Sequence, residues 1–97
     1  MRLIEKEMLQ AINRNLKYNG GHWSKDNTAV YRRGSMGVDV FLHGHHIAHV
    51  TPNWHVEVNF DTLRAWPTKV TKSRLRALDV DVYTKKGITY VNGREIA

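Results

Sequence analysis

The 97-residue sequence predicts an α+β fold, with an N-terminal helix, an antiparallel meander of about four strands, a short basic helix and a C-terminal β-hairpin. Three observations carry this prediction. Apolar residues recur every four positions near the N-terminus. After Trp23 the apolar period falls from 3.6 to 2. Near the C-terminus Asn92-Gly93 separates two extended segments, and Asn-Gly favours the positive φ angles of a tight hairpin turn. The length suits one domain over residues 1–97, because cores rarely divide below about 200 residues.

Residues 2–18 carry the helical signal. Ile4, Met8, Ile12 and Leu16 form the core-facing stripe, Ala11 widens it, and Lys6, Gln10, Asn13, Arg14 and Lys17 are left for solvent. Asn19-Gly20-Gly21 is the expected stop, since glycine takes the left-handed position after a helix at no steric cost. The antiparallel sheet is expected over residues 28–60, from TAVYRR (28–33), VDVFLH (38–43), HIAHV (46–50) and WHVEVNF (54–60). Gly34-Ser35-Met36-Gly37 reads as the first turn and Gly44-His45 as the second. In the last strand Trp54, Val56, Val58 and Phe60 alternate toward the core, with His55, Glu57 and Asn59 on the wet face.

Asp61 is placed to cap a helical turn, TLRAW, which Pro67 ends. Thr71 or Ser73 then caps KSRLRAL, the basic helix of residues 72–78. Residues 80–96 close the chain as a hairpin, with Lys85-Lys86-Gly87 at its tip.

Fifteen Lys and Arg against nine Asp and Glu give a net charge of +6 and favour phosphate, anionic lipid or an acidic protein surface as partner. With no cysteine, disulfides and thiolate metal sites are excluded. Charges at Arg2, Glu5, Lys6 and Glu7 interrupt any signal-peptide core, and no apolar run approaches the ~18 residues of a membrane span. No membrane partner is expected.

The stretch LHGHHIAH, Leu42 to His49, concentrates four of six histidines. Three or four ligands must converge for a metal site. In a continuous strand His43 and His45 point one way while His46 and His49 take opposite faces. A zinc helix with H-E-x-x-H needs glutamate at position 46, which is histidine here. The expectation is solvated strand histidines spread over two strands and two faces, with no metal and no cofactor. A metal-binding histidine cluster is the remaining alternative.

Catalytic motifs are missing as well. GSMG (34–37) is not G-x-S-x-G, and neither G-x-x-x-x-G-K-[ST] nor G-x-G-x-x-G occurs. Asp79 and Asp81 read as solvated carboxylates at a strand edge, and His55 and Glu57 as neighbours on one strand face. The reading is a non-enzymatic protein.

Charge is densest in residues 61–97, where eight cations face four carboxylates. In a helix from 72 to 78, Leu75 and Leu78 anchor one side while Lys72 and Arg76 share the exposed side with Arg74 nearby. Lys72, Arg74, Arg76, Lys85 and Lys86 are therefore the expected nucleic-acid contacts. The capped helix and cationic hairpin tip resemble, locally, the recognition helix and wing of winged-helix DNA readers, so DNA is favoured over RNA. An alternative use of the same charges is an acidic groove on a host protein.

LHGHHIAHV followed by WPTKVTKSRLRALDVDVYTKKGITYVNG resembles small accessory proteins encoded by tailed bacteriophages. The likeness covers roughly residues 26–93. It implies a bacterial host cytoplasm and a target in a host machine, such as a defence or transcription component. It implies no particular activity.

Overall fold

A computed structural model describes residues 1–18 and 21–96. The first helix, α1, spans Leu3–Lys17. Its backbone start is held where the Arg2 N–H donates to Glu5 Oε1 at 3.3 Å. Met8, Ala11 and Ile12 are buried as the periodicity requires, and Ile4 and Leu16 are half-buried. Two polar residues, Glu5 and Asn15, share that buried stripe. The expected stop falls partly on Asn19 and Gly20, which lie outside the described residues.

Five antiparallel strands follow in sequential order: β1 His22–Lys25, β2 Thr28–Arg32, β3 Val38–Leu42, β4 His45–Val50 and β5 Val56–Val58. The first of these lies ahead of the predicted sheet. Its four residues alternate only once between half-buried Trp23 and exposed neighbours, too short a signal for a period-2 reading. The predicted strand 54–60 shrinks to three residues. Trp54 sits at φ +63 in the turn after Thr51, and Phe60 already belongs to a helix, so both leave the core and remain about 40% exposed. Trp54 Nε1–H instead donates to Asn13 Oδ1 at 3.0 Å, tying that turn to α1.

The two short helices begin earlier than the sequence suggests. Asn59, not Asp61, caps α2 (Phe60–Ala65), its Oδ1 accepting from the Thr62 N–H at 3.2 Å. Thr68, not Thr71 or Ser73, caps α3 (Lys69–Ala77), its hydroxyl accepting from the Thr71 N–H at 3.1 Å. The predicted hairpin is a three-stranded antiparallel meander, β6 Val82–Lys85, β7 Ile88–Val91 and β8 Arg94–Glu95.

Three two-residue turns place a residue at φ near +50 before a glycine at φ near +80: His43-Gly44, Lys86-Gly87 and Asn92-Gly93. Positive φ at both central positions is the geometry whose twist matches paired strands. The β3–β4 tip is therefore His43-Gly44, one residue earlier than Gly44-His45.

Helix α1 packs against one face of the five-stranded sheet, meeting β2 most closely. Met8, Ile12, Val30, Val38, Val40, Ile47, Val50 and Leu63 form the core with Leu75, Leu78, Val82 and Val91. The α+β reading thus stands. Among the described residues, no helix is long and apolar enough to cross a membrane.

Candidate nucleic-acid interface

Helix α3 buries a stripe of Thr71, Arg74, Leu75 and Leu78, spaced three and four residues apart. Leu75 and Leu78 anchor it as expected. Arg74 does not face solvent. Its side chain is 3% exposed and pairs with Glu5, also almost fully buried, with Nη1 2.8 Å from Glu5 Oε2. Arg74 Nε donates to Thr28 Oγ1 at 3.1 Å, Nη2 reaches Asn27 Oδ1 at 3.4 Å, and the Ser73 hydroxyl donates to Glu5 Oε2. Arg74 is thereby removed from the expected contacts, because its guanidinium is consumed in joining α1, α3 and the β1–β2 turn.

Burial alone would disfavour ionisation of the Glu5 carboxyl. The hydrogen bonds from Ser73 and Arg74, the Arg2 N–H and the charge on Arg74 outweigh that penalty and hold the carboxyl below its usual range.

The other four expected contacts are on the surface. Arg76 Nη1 donates to the Val82 carbonyl at 3.0 Å, and Lys72 Nζ donates to Thr84 Oγ1. Both bonds lay α3 along the edge strand β6, which runs on to Lys85 and to Lys86 in the turn. Lys69 lies three residues before Lys72 and is exposed, one helical turn along the same side. Among the described residues, none of Lys69, Lys72, Arg76, Lys85 and Lys86 has a carboxylate within 4.0 Å, whereas Lys25, Arg33, Arg64 and Arg74 each do. The result is one cationic row from α3 to the hairpin tip.

The histidine stretch folds into something different. His43 is in the turn, His45 stacks on Trp66 with ring centroids 4.8 Å apart, and His46 and His49 point to the sheet face opposite α1. A bulge makes that possible. Val40 pairs with Ala48 but Phe41 pairs with His46, so Ile47 is the extra residue and the alternation shifts by one. His46 and His49 therefore share a face, contrary to the expectation for a continuous strand, and both turn toward Asp39 Oδ1, at 3.1 and 2.8 Å.

Donor accounting orders this network. Asn59 Oδ1 is committed to capping α2, so its amide nitrogen faces His46 Nδ1 at 3.1 Å and donates to it. His46 Nε2–H then donates to Asp39. His49 places one ring nitrogen against Asp39 Oδ1 and the other against the Met36 carbonyl, each at 2.8 Å. Among the described residues, no three His, Asp or Glu side chains converge as a metal ligand set.

A family model described as Kyanoviridae Gp96 protein matches residues 1–97. The chain belongs to the Kyanoviridae Gp96 protein family. It is thus a protein of a tailed cyanophage family, in agreement with the phage accessory resemblance. No curated protein and no solved structure matches it.

In this member of the Gp96 family, sequence reasoning missed Asp39 and Asn59, the two residues that organise the histidines. The alternation of Val38, Asp39 and Val40 does place Asp39 on the wet face of β3, but nothing in the one-dimensional pattern signals the bulge opposite it. Asp39→Ala leaves the buried His49 without its carboxylate, and we expect a loss of about 2 kcal/mol in chemical denaturation. A loss below about 0.5 kcal/mol would show the network to be solvated surface.

Proposed function

We propose that this Gp96-family chain is a small, non-enzymatic binding protein acting in the infected host cytoplasm, and that it contacts nucleic acid through Lys69, Lys72, Arg76, Lys85 and Lys86. The observation that carries this reading is the row of cations without carboxylate partners along α3, the β6 edge and the hairpin tip. Cations of this kind contact phosphates, which position a nucleic acid without reading its sequence. DNA is favoured over RNA on the phage context and the local helix-and-wing shape. Lys69 joins the set and Arg74 leaves it.

Binding measured across a salt series tests the reading. Each neutralised phosphate contributes about 0.7 to 0.9 to the slope of log K against log salt. Lys85→Ala with Lys86→Ala is expected to weaken binding at every sequence and lower that slope by about 1.5, with stability changed by less than about 0.5 kcal/mol. An unchanged slope would remove the hairpin tip from the interface.

A second reading, capture and inhibition of a host protein, is favoured by the opposite face of the five-stranded sheet. There His22, Tyr31, Phe41 and His46 form a ladder of ring contacts 5.1 to 5.4 Å apart across four strands, and Tyr31 is 43% exposed. Exposed aromatic surface of this kind anchors protein partners. Binding to a host component at fixed stoichiometry, lost on Tyr31→Ala and insensitive to the lysine changes, would favour it over the nucleic-acid reading.

A further inference from the structure

We infer that the nucleic acid taken by this interface is single-stranded, and that Tyr83 and Tyr90 form the platform on which its bases stack; the inference rests on the nucleic-acid reading above. Tyr83 and Tyr90 are direct register partners on β6 and β7. Their rings stack on one another, with centroids 5.1 Å apart at an interplanar angle of 9°, so each covers one face of the other and a base can stack only on the face of each ring turned away from its partner. They belong to the outer face of the small sheet, because the alternating Val82 and Val91 fill its inner face and are buried. Tyr83 is 39% exposed.

A cross-strand tyrosine pair stabilises a hairpin whatever else it does. What sets this pair apart is its surroundings. Lys85 follows Tyr83 by two residues and so shares its face, and Lys86 stands in the adjoining turn. Lys72 and Arg76 line the β6 edge immediately beside it. Aromatic rings bordered by cations are the pattern that holds unpaired bases: the rings take the base faces and the cations track the phosphates. In a duplex those faces are already covered by neighbouring base pairs, so the tyrosines offer it nothing.

Acidic groups set the direction. Asp81 precedes Tyr83 by two residues, and Glu95 is the register partner of Tyr90. Both repel phosphate, so the strand's backbone is confined to the Lys85 and Lys86 side, and the platform accommodates one or two bases.

Fluorescence anisotropy with a labelled ten-nucleotide single strand, offered as DNA and as RNA, and with the matching duplex, tests this. The single strand is expected to bind at least about tenfold more tightly than the duplex, within the range that base–aromatic stacking provides. Tyr83→Leu with Tyr90→Leu should cost the single strand about tenfold and leave the duplex unchanged. Tyr83→Phe with Tyr90→Phe keeps the ring faces and should stay within about twofold of the native protein. Equal affinity for strand and duplex overturns the platform while leaving the nucleic-acid reading intact. So does a phenylalanine pair as weak as the leucine pair, or a leucine pair that loses strand and duplex alike. If neither form binds at low salt, the nucleic-acid reading itself falls, and the platform with it.

Discussion

Replacing Arg74 by alanine is expected to destabilise the protein by about 3–5 kcal/mol, because Glu5 would be left as a buried, uncompensated charge. Small domains are stable by only about 5–15 kcal/mol, so this loss is a large fraction of the total. Guanidinium denaturation at neutral pH measures the loss. A cost below 1 kcal/mol would mean that the pair is solvated and that Arg74 is free to act as a surface cation. Breaking the pair differs from removing it. Glu5→Leu with Arg74→Met takes both charges away together, and it should cost far less than Arg74→Ala alone, since desolvating two ions offsets most of their attraction. Any fall in nucleic-acid binding by an Arg74 variant must therefore be read against its folded fraction.

The same pair makes stability depend on pH with a definite sign. The Glu5 carboxyl is held below its usual value of 4.5 in the folded protein. Its contribution is therefore fully present above that value and is lost as pH falls through the lower, folded one. Denaturation midpoints should drop on acidification below about pH 4.5, and Glu5→Gln should remove part of that dependence. A variant with the native acid profile would assign acid sensitivity to other carboxylates.

The second large effect is expected at Gly37, buried between the short 3-10 turn Gly34–Met36 and β3. Its φ of 113° and ψ of −145° suit glycine alone. A Cβ there would collide with the Val50 carbonyl oxygen and lie 3.0 Å from Thr51 Cα, so the β3–β4 pairing itself would have to open. Gly37→Ala should cost about 3 kcal/mol or more, combining backbone strain with overpacking. Gly34 supplies the control. It also has positive φ, but open space surrounds it, and Gly34→Ala should cost only about 1 kcal/mol. Equal losses at the two glycines would show that backbone strain, not the close approach to Val50, sets the penalty. Because Met36 O accepts from His49, an opened Gly37 turn should also loosen the Asp39–His49 contact.

The two charges that matter most were partly visible in the helical spacing. Leu75 and Leu78 identify a buried stripe on α3, and steps of three and four residues extend it to Arg74 and Thr71. The stripe of α1 likewise takes in Glu5, three residues before Met8. One cation and one carboxylate, each on the buried side of its own helix, invite pairing. What the spacing cannot supply is that the two helices pack with those positions opposed, which depends on how each meets the sheet. The cap residues were misplaced for a similar reason: Thr68, Thr71 and Ser73 all qualify chemically, and burial of Thr71 and Val70 against the core selects the first.

By itself the sequence determined the α+β class, the first helix to within a residue, the Asn92-Gly93 turn, the excess of positive charge and the Lys85-Lys86 tip. These are local properties, set by apolar period, turn chemistry and composition. Tertiary structure alone decided which cations remain free and which face each histidine takes. Burial of Arg74 against Glu5 joins residues 69 positions apart in the chain. The bulge at Ile47 brings His46 and His49 to one side by a single-residue change of register, and only pairing with β3 specifies it. Long-range partners choose among states that are locally equivalent, and that choice is not written in any one segment.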